Sequence, residues 1–278
     1  MVKISVVMPV YNGAPYIAEA IESLLAQTFP DWELIVVDDG STDGSAAIVR
    51  RFTDRRIRLI SQENRGAAAA RNVALDVAVG EYVAFLDADD LYLPNALADL
   101  SAYLDANSDV GVVYSDGYFC DAQGRLLMRL SECRPGIHTG FVTEPLVLSP
   151  GVVTVPVCTL TRRAAIEAGG VRFDDRLVFV EDWDFWISLS RFVPFGYLDK
   201  LTCKYRLHPT NTTHTMHSAG RKQQFAQQRR KVMRTDWFND LSLLTRRDFF
   251  YGLLVDLLAG DVETQQEVMA TEPFCTLP

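Results

Sequence analysis

Two aspartates separated by one residue, Asp87 and Asp89 of the run Asp87-Ala88-Asp89-Asp90, follow directly on the apolar stretch from Glu81 to Leu86. Carboxylates so spaced in a turn can face one Mg2+ or Mn2+, a hard cation that takes oxygen ligands and shares them with substrate phosphates. Acid-rich strand ends also arise where side chains cap the next helix, a role that suits Asp90. From Asn72 to Gly124 there is no lysine or arginine, so a bound cation is the expected neutraliser. Asp38 and Asp39 close a second apolar run. A carboxylate there can accept from a base N–H or a ribose hydroxyl, or it can cap a helix, which Ser41 and Asp43 could equally do. Arg65 and Arg71 flank the start of an alanine-rich stretch, where an arginine suits a diphosphate unless it is simply a solvated surface residue. Glu181-Asp182-Trp183-Asp184 supplies acids that could deprotonate an incoming hydroxyl, although acids also favour a helix first turn for dipole reasons. Trp183 and Trp186 read either as sugar-stacking surfaces or as core.

The elements that would hold these residues follow from hydrophobic period and punctuation. Ile4 to Pro9, Trp32 to Val37, Ile57 to Ser61 and Glu81 to Leu86 read as strands. Between them, Tyr16 to Gln27, a stretch capped by Ser41 or Thr42 and running to about Phe52, and Gly66 to Val79 closed by Gly80 read as helices. Four strands alternating with three helices imply a mainly parallel, doubly wound α/β sheet flanked by helices. Ligands of such sheets bind outside the carboxyl ends of the strands, so Pro9-Val10-Tyr11, Asp38-Asp39, Gln62-Glu63-Asn64 and Asp87 to Asp90 should gather at one crevice. Further on, a helix from Pro94 to Asn107, strands over Val110 to Phe119 and Val152 to Thr161, and helices over Arg162 to Ala168 and Glu181 to Arg191 are expected, with a turn at Asp121 to Gly124. Residues 218–248 read as polar, basic and helical, and the last dozen as loosely held.

Bulk properties limit the classes of function. The chain has 278 residues, a net charge of −9 and 48% hydrophobic residues, which suits a globular protein and disfavours nucleic acid as a partner. Cys120, Cys133, Cys158, Cys203 and Cys275 show no CxxC spacing, and His138, His208, His214 and His217 form no zinc pattern with them, so free thiols in a reducing cytoplasm are expected. The first nine residues carry too short an apolar run for a signal peptide. The basic run Arg221, Lys222, Arg229, Arg230, Lys231 and Arg234 allows peripheral contact with the inner face of an anionic membrane or a lipid-diphosphate acceptor; a solvated helix face is the alternative.

Taken in order, Val6-Val7-Met8-Pro9-Val10-Tyr11-Asn12, Ile35 to Asp43, Asn64-Arg65-Gly66, Ala70-Arg71-Asn72 and Phe85 to Asp90 closely resemble the opening half of family-two glycosyltransferases. Gly169-Gly170-Val171, Phe173-Asp174, Glu181 to Asp184 and Tyr205-Arg206-Leu207-His208 resemble its acceptor half and closing segment, so the resemblance runs from residue 3 to about 213. It implies a GT-A fold, an inverting reaction, a nucleoside-diphosphate sugar donor, a saccharide or lipid-linked saccharide acceptor, and Mn2+ or Mg2+. By the same resemblance Asp39 contacts the base, Pro9, Tyr11 and Arg71 line the nucleotide pocket, and Asp87-Ala88-Asp89 is the DxD motif. Asp182 matches the catalytic base, His208 joins the metal site, and Arg206, with Glu181 and Trp183, falls on the diphosphate or acceptor side.

This organisation assigns 1–215 to a catalytic domain, with a nucleotide-sugar half at 1–110 and an acceptor half at 111–215, and 216–278 to a helical C-terminal extension. Two other functions use similar parts. A sugar nucleotidyltransferase needs a basic phosphate loop near its N-terminus, where this chain has only Lys3 before Arg50. A non-catalytic nucleotide-sugar-binding protein would lack a base, and Asp182 is present. No GxGxxG or P-loop pattern occurs.

Overall fold

Ile4–Val10 (β1) is buried at every position, as the continuous β-branched run requires of a strand covered on both faces. The computed structural model describes residues 2–258, save 135 and 154 and the side chains of 213, 214 and 258. It comprises two compact units, Met1–His208 and Pro209–Pro278.

The first unit begins with alternating strands and helices: β1, α1 (Ile17–Leu25), β2 (Trp32–Asp38), α2 (Ser45–Val49), β3 (Ile57–Ser61), α3 (Ala67–Val77) and β4 (Tyr82–Phe85). These four strands are parallel, in the order β3-β2-β1-β4. Then come β5 (Leu91–Tyr92), α4 (Ala96–Ala106), β6 (Val112–Cys120), β7 (Leu126–Arg129), α5 (Thr143–Leu148), β8 (Thr159–Arg162), α6 (Arg163–Ala168), α7 (Glu181–Ser190) and β9 (Phe195–Arg206). They extend the same sheet through β8, β6, β9 and β5, with β7 paired to β6. The β4–β8 and β8–β6 pairs are antiparallel, so β6 runs the same way as β4 and its carboxyl end reaches the same side of the sheet. The GT-A-type α/β architecture expected from the chain is present, with the doubly wound parallel part in its first ninety residues.

Several local expectations need correction. The second helix has only five residues and starts after Gly44, whose φ of 91 suits a glycine. Ser41 and Thr42 are drawn off to the Asn12 loop, while Asp43 bonds the Ser45 N–H and hydroxyl. Gly80 does not close α3, which ends at extended Ala78. Gly80 is instead required by close approach: a Cβ there would sit 2.5 Å from the Ser5 backbone nitrogen. Asp90 caps no helix, because β5 intervenes before α4. Most of the stretch from Val152 to Thr161 is loop and 3-10 turn, with the strand starting only at Thr159. The long β9 was hidden because its burial mixes exposed Asp199 and Lys200 with buried Thr202 and Cys203, masking any simple alternation.

In the second unit, α8 (Thr212–Thr215), α9 (Ser218–Met233) and α10 (Leu243–Leu258) are described. Ala226, Leu253 and Leu257 form a small core with Met233 against it. Arg229 of the basic run is buried and pairs with Asp256 at 3.0 Å, so it serves neither as a solvated face nor as a membrane contact. Among the described residues no helix is long and apolar enough to cross a membrane. Cys120, Cys133, Cys158 and Cys203 are free thiols; Cys275 and the last dozen residues lie outside the described residues.

Candidate active site

The loops at the carboxyl ends of β1, β2 and β3 are stitched together by short side chains rather than by sheet. The N–H groups of Asn12, Gly13 and Ala14 donate to Ser41 Oγ, Ser45 Oγ and Asp43 Oδ2, and Asn12 Oδ1 accepts from the Thr42 N–H. Asn12 takes φ 52, the left-handed conformation asparagine tolerates, to make this turn. Asp39 is buried and accepts from Gln62 Nε2, the Arg65 N–H and the Gly66 N–H at 2.7–2.8 Å, which fixes the entry to α3. These three donors fill three of the roughly four acceptor positions of the carboxylate. Tyr11 stands 54% exposed just past β1, while Pro9 inside the strand and Ala88 are buried beneath the crevice. The gathering expected of the strand ends is therefore present.

Arg71 is the hub of the acidic cluster. It is buried on α3; Nη2 donates to Asp87 Oδ1 at 2.7 Å and Nη1 to Glu181 Oε1 at 2.9 Å. Burial works against its charge, but Asp87 and Glu181 outweigh that and hold the guanidinium protonated. Glu181, at the start of α7, is pushed up to about 7, by burial first and by neighbouring Asp182, with Arg71 pulling the other way. Asp182 is also raised by burial, against the pull of Arg71 and the bond it accepts from the Trp183 N–H. Asn72, the next residue along α3, grips the Phe173 backbone with both ends of its amide, at 2.8 and 3.0 Å. The segment leading into α7 is thereby tied to the helix that carries Arg71. In the sequence Asn72 stands in the Ala70-Arg71-Asn72 motif with no role of its own; the adjacent arginine is the available signal.

The cation expected beside Asp87 is thus in part supplied by the chain itself. The gap in basic residues from Asn72 to Gly124 is bridged from outside, by Arg71 on one flank and Arg206 with His208 on the other. His208 Nε2 lies 2.9 Å from Asp89 Oδ2, and its ring packs on Tyr16 with centroids 4.5 Å apart. Arg206 is 1% exposed in its side chain, and each guanidinium nitrogen is used within the protein: Nη2 to Glu19 Oε2, Nε to the Asp89 carbonyl and Nη1 to the Ala122 carbonyl. Its expected place on the diphosphate is therefore corrected, since it is a buried clamp joining α1, the loop after β4 and the β6–β7 turn. Asp90 accepts from the Arg206 N–H and is wholly buried, so burial first, then Asp89 and Asp87, drive its carboxyl well up. Trp183 also needs correction as an acceptor-side contact: it is 2% exposed and its indole N–H donates to the Leu146 carbonyl. Trp186 is core as well.

Among the described residues no cluster of three or more His, Cys, Asp or Glu side chains is arranged to hold a divalent cation. Asp89 Oδ2 and His208 Nε2 do fit, because adjacent ligands of an octahedral ion at about 2.1 Å sit about 3 Å from each other, matching their 2.9 Å separation. Two protein donors suit Mg2+ or Mn2+, which complete their shell with phosphate oxygens and water.

Residues 5–170 match the family model described as glycosyl transferase family 2. An uncharacterized glycosyltransferase of Methanocaldococcus jannaschii is 30% identical over 270 residues, covering 91% of this chain and 87% of that protein. One of Rickettsia felis is 31% identical over 215 residues, or 76% of this chain, which spans only 34% of that relative's length. Among solved structures, residues 1–349 of S. aureus TarS in complex with UDP-GlcNAc superpose with a TM-score of 0.69 at 21% identity, covering 95% of this chain and 83% of that one. The mannosyltransferase PcManGT from Pyrobaculum calidifontis, in complex with GDP-Man and Mn2+, gives 0.65 at 21% identity over 99% and 82%. At that identity the likeness is one of fold.

Proposed function

Since the chain belongs to glycosyltransferase family 2, we propose that it transfers a sugar, with inversion, from a nucleoside-diphosphate donor to a hydroxyl acceptor. A UDP-sugar as donor, and a saccharide or lipid-linked saccharide of a cell-surface polysaccharide or glycoconjugate as acceptor, complete the reading. The observation that carries it is the meeting of Asp87, Glu181 and Asp182 around Arg71. Strand-end acids suited to a phosphate-bound cation then stand beside an acid suited to take a hydroxyl proton. The nucleotide sugars in the TarS and PcManGT complexes support the donor class.

In this reading Tyr11 stacks on the base, Asp39 accepts from it, and Asp89 with His208 holds Mn2+ or Mg2+. When bound, the ion neutralises the diphosphate and so makes it a better leaving group. Asp182 accepts the proton of the acceptor hydroxyl as its oxygen attacks the anomeric carbon from the face opposite the departing diphosphate. Its raised affinity for a proton makes it a stronger base than an exposed aspartate, while the charge of Arg71 pulls toward the ionised form. Arg71 keeps the acids of the two halves together.

A donor screen tests the reading directly. Release of nucleoside diphosphate would be followed across UDP-, GDP- and dTDP-sugars with Mn2+ or Mg2+ and with EDTA. Metal-dependent release from one donor is expected; binding of every donor without release or transfer would leave only a binding protein.

A further inference from the structure

Two buried polar atoms of the cluster have no hydrogen-bond partner: Arg71 Nε and Glu181 Oε2. They belong to the two sides of one ion pair. Arg71 divides a single positive charge between Asp87, whose side chain is 24% exposed toward the crevice, and Glu181, whose side chain is 11% exposed. The arginine is confined, since its guanidinium lies 5.4 Å from the Phe173 ring and Asn72 fixes the Phe173 backbone. What remains adjustable is how strongly the guanidinium leans on each carboxylate.

We propose that Glu181 is a positioning residue: by drawing Arg71 toward itself it sets how much negative charge Asp87 presents beside the Asp89–His208 pair, and so how tightly that pair holds a divalent cation, an inference that rests on the donor reading above. Held by Asp87 alone, the guanidinium would neutralise that carboxylate and repel any cation brought beside it. Shared with Glu181, it leaves Asp87 with charge to offer. When positive charge arrives at the strand end, Arg71 is pushed toward α7, where the unpartnered Oε2 offers a second acceptor. Glu181 thus has no need to touch the ion or the substrate to govern how tightly the ion is held, as partners one shell removed from a ligand commonly do.

The test measures Mn2+ binding in the presence of UDP, by calorimetry and by the electron paramagnetic resonance signal of free Mn2+, rather than turnover. Glu181→Gln is expected to weaken Mn2+ binding about tenfold, with Glu181→Asp closer to the wild type and binding of UDP without metal unaltered. In an Asp87→Asn background the same Glu181→Gln change should alter Mn2+ affinity by no more than about twofold, because the effect travels through Arg71 to Asp87. Equal Mn2+ affinity of wild type and Glu181→Gln overturns the inference alone, as does an undiminished effect in the Asp87→Asn background. Absence of Mn2+-dependent UDP binding to the wild type removes the donor reading and the inference together.

Discussion

Arg71 and Glu181 stand 110 residues apart in the chain and 2.9 Å apart in space. That contact joins the helix behind the first four strands to the helix that carries Asp182. Replacing Arg71 with Met takes from Asp87 and Glu181 their common hydrogen-bond and charge partner. Breaking a buried pair from one side costs about 3–5 kcal/mol, so denaturant unfolding should show a loss of that order together with loss of transfer.

Asp182→Asn should separate binding from chemistry. The side chain keeps its size and the Trp183 N–H keeps an acceptor, but the group no longer takes a proton. Removing a positioned base lowers turnover about 10²–10⁴-fold. Calorimetric donor affinity should stay close to the wild type, and normal turnover would move the base elsewhere.

His208 and Asp89 share one interaction at 2.9 Å. His208→Ala is expected to weaken Mn2+-dependent UDP binding while leaving UDP binding in EDTA unchanged. The Tyr16 ring loses the imidazole packed against it, so a small drop in melting temperature should accompany the change.

Stability should depend on pH through Glu181. Its folded carboxyl titrates at about 7, above the value near 4.3 of an unfolded glutamate. The folded state therefore binds the proton more tightly. That contribution is complete below about pH 4 and is lost as the pH rises through 7. Glu181→Gln should flatten the melting-temperature profile across this window; an unchanged slope would assign the titration to another group.

Gly80→Ala inserts a Cβ 2.5 Å from the Ser5 nitrogen, with backbone rather than a flexible side chain in the way. Overpacking of this kind costs roughly 1–3 kcal/mol. Thermal unfolding should show the loss, while Mn2+-dependent UDP binding of the folded fraction is unaffected.

The first half of the fold is legible because each of its parallel strands is a short, mainly apolar run followed within a few residues by acidic or turn-forming ones, although Pro9, which reads as the stop of β1, lies inside it. The strand-end rule then located the crevice without further information. What escaped was set by distant partners. The sequence gap in basic residues pointed to a bound ion, but pairing in space brought Arg71 to Asp87 from sixteen residues away and His208 to Asp89 from 119 away. Arg206 looked like a ligand group because arginine types do not disclose burial; its three internal acceptors come from α1, the loop after β4 and the β6–β7 turn. β5 has only two residues, too few to show any period, so Asp90 looked like the start of the next helix.

β4 has a parallel neighbour on one edge, β1, and an antiparallel one on the other, β8. Asp87 emerges at that seam, two residues beyond Phe85. Substitutions between β6 and α7 can therefore reshape the far wall of the crevice without altering the near one, so long as Val83 stays opposite Thr161 and Asn72 keeps its grip on Phe173. On the proposed function, divergence in acceptor choice would be cheap in such a molecule, and divergence in the nucleotide wall would not.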